Sequence, residues 1–132
     1  MTVDFAREVV ERHAPQLVND QRFTVVDEDS RKWGYIIYGN DQVRIIVSVH
    51  HTGRDVSIRR TAPMRSVLDF STPVDLYVHL ERARPNWAGK LEGALGYLDA
   101  HLDDVLRVTD TEEVWDLFLA DARAFLEATM GN

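Results

Sequence analysis

Apolar and polar positions alternate with period two between residues 23 and 60, and recur every three to four residues on either side. The first pattern predicts strands. Trp33-Gly34-Tyr35-Ile36-Ile37-Tyr38, Val43-Arg44-Ile45-Ile46-Val47-Ser48-Val49-His50 and Val56-Ser57-Ile58-Arg59-Arg60 are rich in β-branched and aromatic residues. Phe23-Thr24-Val25-Val26 precedes them. Turn residues separate the runs: Asp27-Glu28-Asp29-Ser30, Gly39-Asn40-Asp41 and Thr52-Gly53. The predicted unit is a four-stranded antiparallel meander.

Turn positions set a trial register. With Asn40-Asp41 at one tip, Tyr38 pairs with Val43 and Ile36 with Ile45. With Thr52-Gly53 at the next, Val49 pairs with Val56 and Val47 with Ile58. Val25 opposite Ile36 places Phe23 opposite Tyr38. One face then carries Phe23, Val25, Ile36, Tyr38, Val43, Ile45, Val47, Val49, Val56 and Ile58, which is a core face. The reverse face carries Thr24, Val26, Trp33, Tyr35, Ile37, Arg44, Ile46, Ser48, His50, Ser57 and Arg59. Its apolar part is too large for scattered surface hydrophobes, so it calls for a cover: more of the chain, a second subunit or a partner.

The flanking pattern predicts helices. The first runs from Thr2 to about Ala14, with Phe5, Val9, Val10, His13 and Leu17 facing the sheet and Pro15 ending or kinking it. Residues 61–70 read as a connector. Thr72 caps a helix Pro73–Ala83, with Asp75 completing a capping box and Leu76, Leu80 and Ala83 on its inner side. A longer helix from about Trp87 to Leu106 carries Leu91, Leu95, Leu98, Leu102 and Val105 on one seam. Gly89, Gly93 and Gly96 weaken that helix and point to close approach by a neighbour. Thr109 and Glu112 form a capping box for the last helix. Its stripe is Val114, Leu117, Phe118, Ala122, Phe125 and Leu126, widened by Trp115 and Leu119. The order is an N-terminal helix, a four-stranded antiparallel meander, then three C-terminal helices packed on one sheet face. That is one α+β domain over residues 1–132.

Composition sharpens this picture. The chain is 45% hydrophobic and 28% charged, as expected of a folded globular protein. No apolar run approaches the ~20 residues of a membrane span. The start lacks the basic and apolar regions of a signal peptide. There is no cysteine, which fits a cytoplasmic protein and excludes disulfide and thiol chemistry. The net charge of −7 is uneven: residues 1–90 balance at +1 and residues 91–132 at −8. Phosphates would be repelled by the second part, so nucleic acid is not an expected partner, whereas a basic protein would be attracted. Arg54, Arg59, Arg60 and Arg65 gather towards one sheet end, where they either bind an acidic ligand or pair with the acids of the helices.

Reactive groups are sparse. His13, His50, His51, His79 and His101 show no metal-ligand spacing, and His50 and His51 point to opposite faces of a strand. No nucleophile elbow, phosphate loop or dinucleotide fingerprint is present. Ser48 and His50 share a face but lack an orienting acid. No catalytic residue, metal ligand or cofactor site is assigned.

The Trp33-Gly34-Tyr35-Ile36-Ile37-Tyr38 strand, set in a small, acidic, cysteine-free α+β chain, resembles bacterial immunity proteins of polymorphic or contact-dependent toxin systems. The resemblance is architectural and carries no diagnostic motif. It implies a cytoplasmic non-enzyme that binds and neutralises a cognate toxin, possessing a surface suited to a basic toxin domain. Two candidate surfaces follow from the residues: the reverse sheet face, with Trp33, Tyr35, Ile37, Arg44 and Ile46, and the acidic helices, with Asp99, Asp103, Asp104, Glu112, Glu113 and Asp116. Aromatics anchor such contacts and carboxylates steer them. Two alternatives stand beside it. One is a small-ligand binder or small enzyme, with a pocket near Tyr35, His50, Arg59 and Tyr77. The other is a homodimer built on the reverse face or the last helix.

Overall fold

All four predicted strands hydrogen-bond in sequence order as one antiparallel sheet: β1 (Thr24–Asp29), β2 (Tyr35–Gly39), β3 (Val43–His50) and β4 (Gly53–Arg60). The structure is a computed structural model that describes residues 3–29, 34–50, 53–61, 70–87 and 90–130. Ahead of the sheet lie α1 (Val3–His13) and the short α2 (Pro15–Asn19). After it come α3 (Pro73–Glu81), α4 (Leu91–Ala100), α5 (Leu102–Val108) and α6 (Glu112–Met130). The fold is α+β, and no helix among the described residues is long and apolar enough to cross a membrane.

The sheet register differs from the trial one by two residues at each hairpin. Tyr38 pairs with Ile45 and Ile36 with Val47, while Ile45 pairs with Ile58 and Val47 with Val56. Asn40 explains the first shift. Its side-chain oxygen accepts from the N–H groups of Gln42 (2.8 Å) and Val43 (3.0 Å), which moves the tip one residue onward. A two-residue shift leaves every side chain on its predicted face. Ile36, Tyr38, Val43, Ile45, Val47, Val49, Val56 and Ile58 are accordingly all buried.

β1 departs further. Asp27, Glu28 and Asp29, expected in a turn, continue the strand, and a bulge between Val25 and Asp27 leaves Val26 unpaired. Val25 pairs with Tyr38, not Ile36, and is 45% exposed at the sheet edge, so it leaves the core that Phe23 joins. Beyond the bulge Glu28 turns to the helical side and meets Arg7 of α1 in an ion pair. The other edge is partly closed by Ser71, which exchanges two backbone hydrogen bonds of 2.8 Å with Ile58.

One hydrophobic core joins the helices to the inner face. Ala6 and Val10 of α1, Leu76 of α3, Leu91, Leu95 and Leu98 of α4, Leu102 and Val105 of α5, and Trp115, Phe118 and Leu119 of α6 are buried with the sheet residues. Trp115 is wholly buried, whereas Leu117, expected in the same stripe, is 66% exposed. The Thr72–Asp75 capping box forms in both directions at the start of α3.

The seam of the predicted long helix is buried, but its backbone breaks at His101 and starts at Leu91 instead of Trp87. Trp87 folds back onto α4, where a Cβ at Gly93 would collide with its own Cβ; Gly96 faces open space, and Gly89 lies outside the described residues. At the start of α6 the cap is Thr111, whose hydroxyl accepts from Val114 N–H at 3.1 Å. Thr109 is instead buried. Its hydroxyl donates to the Val105 carbonyl (2.7 Å) and accepts from the Gln42 side chain (2.8 Å), tying the β2–β3 turn to the α5–α6 corner.

Candidate interaction surface

The helices that meet the sheet all cover the side carrying Ile36, Ile45 and Val47. On the reverse side Tyr35, Ile37, Arg44, Ile46, Ser48, Ser57 and Arg59 are each half-buried, and Val26 is exposed. Sheet pairing arranges these residues in three rows across the strands. The middle row is Asp27, Ile37, Ile46 and Ser57. One neighbouring row is Thr24, Gly39, Arg44 and Arg59; the other is Asp29, Tyr35, Ser48 and Asp55. The face therefore runs from an acidic end, over a pair of isoleucines, to a basic end. Successive rows are roughly 7 Å apart, two residues of strand rise.

Local contacts position these groups. Arg44 bends towards the β2–β3 turn and donates to the carbonyls of Asn40 and Val43. It sits directly opposite Arg59, an unfavourable like-charge pairing within the sheet. The Arg59 guanidinium lies 5.8 Å from the centre of the Phe70 ring. Tyr35 donates to Asp27 at 3.1 Å, and this bond, with burial and nearby carboxylates, holds its phenol above the ordinary value. Val26, Asp27, Ile37, Arg44, Ile46 and Arg59, with Arg60 and Thr61, line a shallow groove of about 360 Å³. Tyr35, Ile37, Arg44 and Ile46 are thus brought together as predicted; Trp33 lies outside the described residues.

The acidic residues are more dispersed. Asp99 is 7% exposed and leaves the surface set altogether. Its carboxylate accepts from the backbone N–H groups of Leu17 (2.7 Å) and Gln16 (3.3 Å), capping the start of α2 from another helix. Asp103 pairs with Arg22 at 2.7 Å and Asp104 with Arg107 at 3.2 Å. Asp103 and Asp104 occupy the first turn of α5, and Glu112 and Glu113 the first turn of α6, where helix dipoles favour them. Glu112, Glu113 and Asp116 are exposed on α6. Much of the acidity of residues 91–132 therefore follows helix starts.

The residues suggested for a small-ligand pocket do not meet. Tyr35 and Arg59 lie on the reverse face, whereas Tyr77 packs on the helical side edge-on to Trp87 and tilted against Tyr97, ring centres 4.9 Å away in each case. The His50 side chain and Arg65 lie outside the described residues. The aromatic cluster, which His101 extends by stacking on Tyr97 at 4.0 Å, has no sequence signature because its members come from three separate segments. The rings fill the space between them. A separate cleft of about 190 Å³ opens beside Trp87, with mainly apolar walls from Val56, Pro73, Val74 and Leu91.

A His–Asp pair from α3 and α6 likewise has no sequence signature. His79 Nδ1 lies 2.7 Å from Asp121 Oδ2, and Arg82 donates to both oxygens of the same carboxylate at 2.8 and 2.9 Å. Hydrogen bonding from His79, then from Arg82, holds the Asp121 carboxyl below its ordinary value. The cluster clamps α3 to α6, with its carboxylate shared by His79 and Arg82. No serine or threonine is bonded to His79 among the described residues. Among the described residues no group of acidic and histidine side chains is arranged to hold a metal ion.

Searches against protein-family models, curated proteins and solved structures find no match to this chain.

Proposed function

We propose that this chain is a non-catalytic protein-binding module of the immunity type, which acts in the cytoplasm by binding and neutralising a cognate bacterial toxin. The observation that carries the reading is the reverse sheet face. It presents Ile37 and Ile46 between an acidic and a basic row, on the side of the sheet away from the helices. An apolar centre with a charged rim is the anatomy of a protein contact surface. The exposed carboxylates of Asp103, Glu112, Glu113 and Asp116 add a second contact surface, and would steer a basic domain towards α5 and α6.

Affinity capture from the native host tests this reading, with identification of the bound protein and reconstitution from purified components. The wild-type chain is expected to retain a secreted-toxin domain and to abolish its activity at equimolar ratio. Ile37→Asp with Ile46→Asp removes one surface, and Glu112→Lys, Glu113→Lys with Asp116→Lys reverses the other. Loss of capture by either set locates the contact. A wild-type chain that captures no toxin, or both variant sets capturing it undiminished, defeats the proposal.

A further inference from the structure

The reverse sheet face has a property that a generic contact surface lacks: its charge pattern is self-complementary. Arg44 and Arg59 stand in one row, Asp29 and Asp55 two residues away on the other side of Ile37 and Ile46. A half-turn about an axis in the sheet plane, perpendicular to the strands and passing along the Ile37–Ile46 row, exchanges the basic and acidic rows. Each strand then lies antiparallel over its own copy. Ile37 and Ile46 meet the same residues of the second chain, and Arg59 faces Asp55 in both directions.

We infer that the occupant of this face is a second copy of the chain, joined by an isologous two-fold interface between the sheets. The inference rests on reading the reverse face as a protein-binding surface, and it adds the identity of the partner. Two-fold interfaces demand a patch that complements itself. Aligned sheets packed face to face satisfy that with about 10 Å between them. The alternative half-turn, about an axis along the strands, sets Arg44 and Arg59 against the basic row of the copy, so the charges select between the two. Asp27 approaches its own copy in the selected arrangement. It lies exposed on the edge strand, where solvent and salt screen the repulsion. Dimerisation would cover Ile37 and Ile46, leaving the acidic starts of α5 and α6 outward for a toxin.

A pair of charge reversals tests this with purified protein alone. The wild-type chain is expected to sediment at twice its monomer mass at micromolar concentration. Arg59→Glu sets two carboxylates together twice over, and Asp55→Arg does the same with two guanidinium groups. Each variant alone is expected to dissociate, with association weakened about tenfold or more. Mixing the two restores both pairs, Glu with Arg and Asp with Arg, so the mixture is expected to return to the dimer mass. Circular dichroism shows whether each variant is folded; if one is not, Ser57→Glu mixed with Ser57→Arg replaces the pair, because Ser57 lies on the axis row and only the mixture places opposite charges together. A monomeric wild-type chain, or folded variants whose mixture stays monomeric, overturns the inference. A dimer assigns toxin capture to the acidic starts of α5 and α6, which the Glu112, Glu113 and Asp116 reversals test separately, and failed capture leaves the dimer test intact.

Discussion

The carboxylate of Asp99, on α4, accepts a hydrogen bond from the backbone N–H of Leu17 at 2.7 Å and so caps a helix more than eighty positions earlier in the chain. The cap residue of α2, Ala14, has no side-chain acceptor to offer. Asp99→Ala removes a buried charge-assisted acceptor and is expected to cost about 2–3 kcal/mol. Asp99→Asn keeps one oxygen and should cost about 1 kcal/mol. Urea denaturation of the two variants checks the order.

Neighbouring isoleucines on β3 report the two faces. Ile45 is wholly buried and Ile46 half-buried on the reverse side. Ile45→Ala is expected to destabilise by about 2–5 kcal/mol through the lost apolar contacts and the cavity left behind. Ile46→Thr should cost about 1 kcal/mol or less. The comparison is to be made at protein concentrations low enough that self-association adds nothing to the wild-type value.

Two glycines of α4 should respond with opposite signs. Gly96 faces open space, so Gly96→Ala removes backbone entropy from the unfolded chain and should stabilise by about 1 kcal/mol. Gly93→Ala forces its new Cβ against Trp87 and should destabilise by about 1–3 kcal/mol. Thermal unfolding midpoints moving in opposite directions would confirm the contact.

Thr111 and Thr109 separate a cap from a core bond. Thr111→Ala should cost about 1 kcal/mol by leaving the Val114 N–H uncapped. Thr109→Val preserves volume but deletes the bonds to Val105 and Gln42, for about 1–2 kcal/mol. Hydrogen exchange distinguishes them: the first change should raise exchange at the start of α6, the second around the β2–β3 turn.

Asp121 links stability to acid. Its folded carboxyl titrates below its unfolded value, because His79 and Arg82 favour the charged form. Its contribution is therefore fully present above the unfolded aspartate value of about 3.9 and is lost as pH falls through the lower folded value. Asp121→Asn should be less stable than wild type at pH 6, and the gap should close on acidification below about pH 4. Denaturation curves across that range supply the measurement. A gap that stays constant would mean that the clamp carries no charge-dependent stability.

The sequence pattern was legible where a side chain's environment depends on local periodicity. Val43 to Val49 alternate between faces because a strand turns each successive side chain over, whatever its neighbours do. Thr72 and Asp75 cap α3 because both bonds lie within one turn. Asp99 shows the opposite case. Nothing near it in the chain distinguishes it from Asp103 or Asp104, and its partner N–H groups arrive only when α2 packs against α4. Thr109 likewise has the local pattern of a cap, but its hydroxyl is committed by Gln42, from a distant turn.

The sequence by itself determined which residues share each face of the sheet, because parity survives any slip of two. It did not determine which residues stand side by side across the strands. In the trial register Arg44 lies opposite Ile37, and Ile46 opposite Arg59, so apolar and basic positions are interleaved. The side chain of Asn40 shifts the β2–β3 turn so that Ile37 meets Ile46, and the separate β3–β4 hairpin sets Arg44 beside Arg59. Only the folded hairpins decided that alignment, since a two-residue slip costs nothing in burial and is resolved by turn geometry alone.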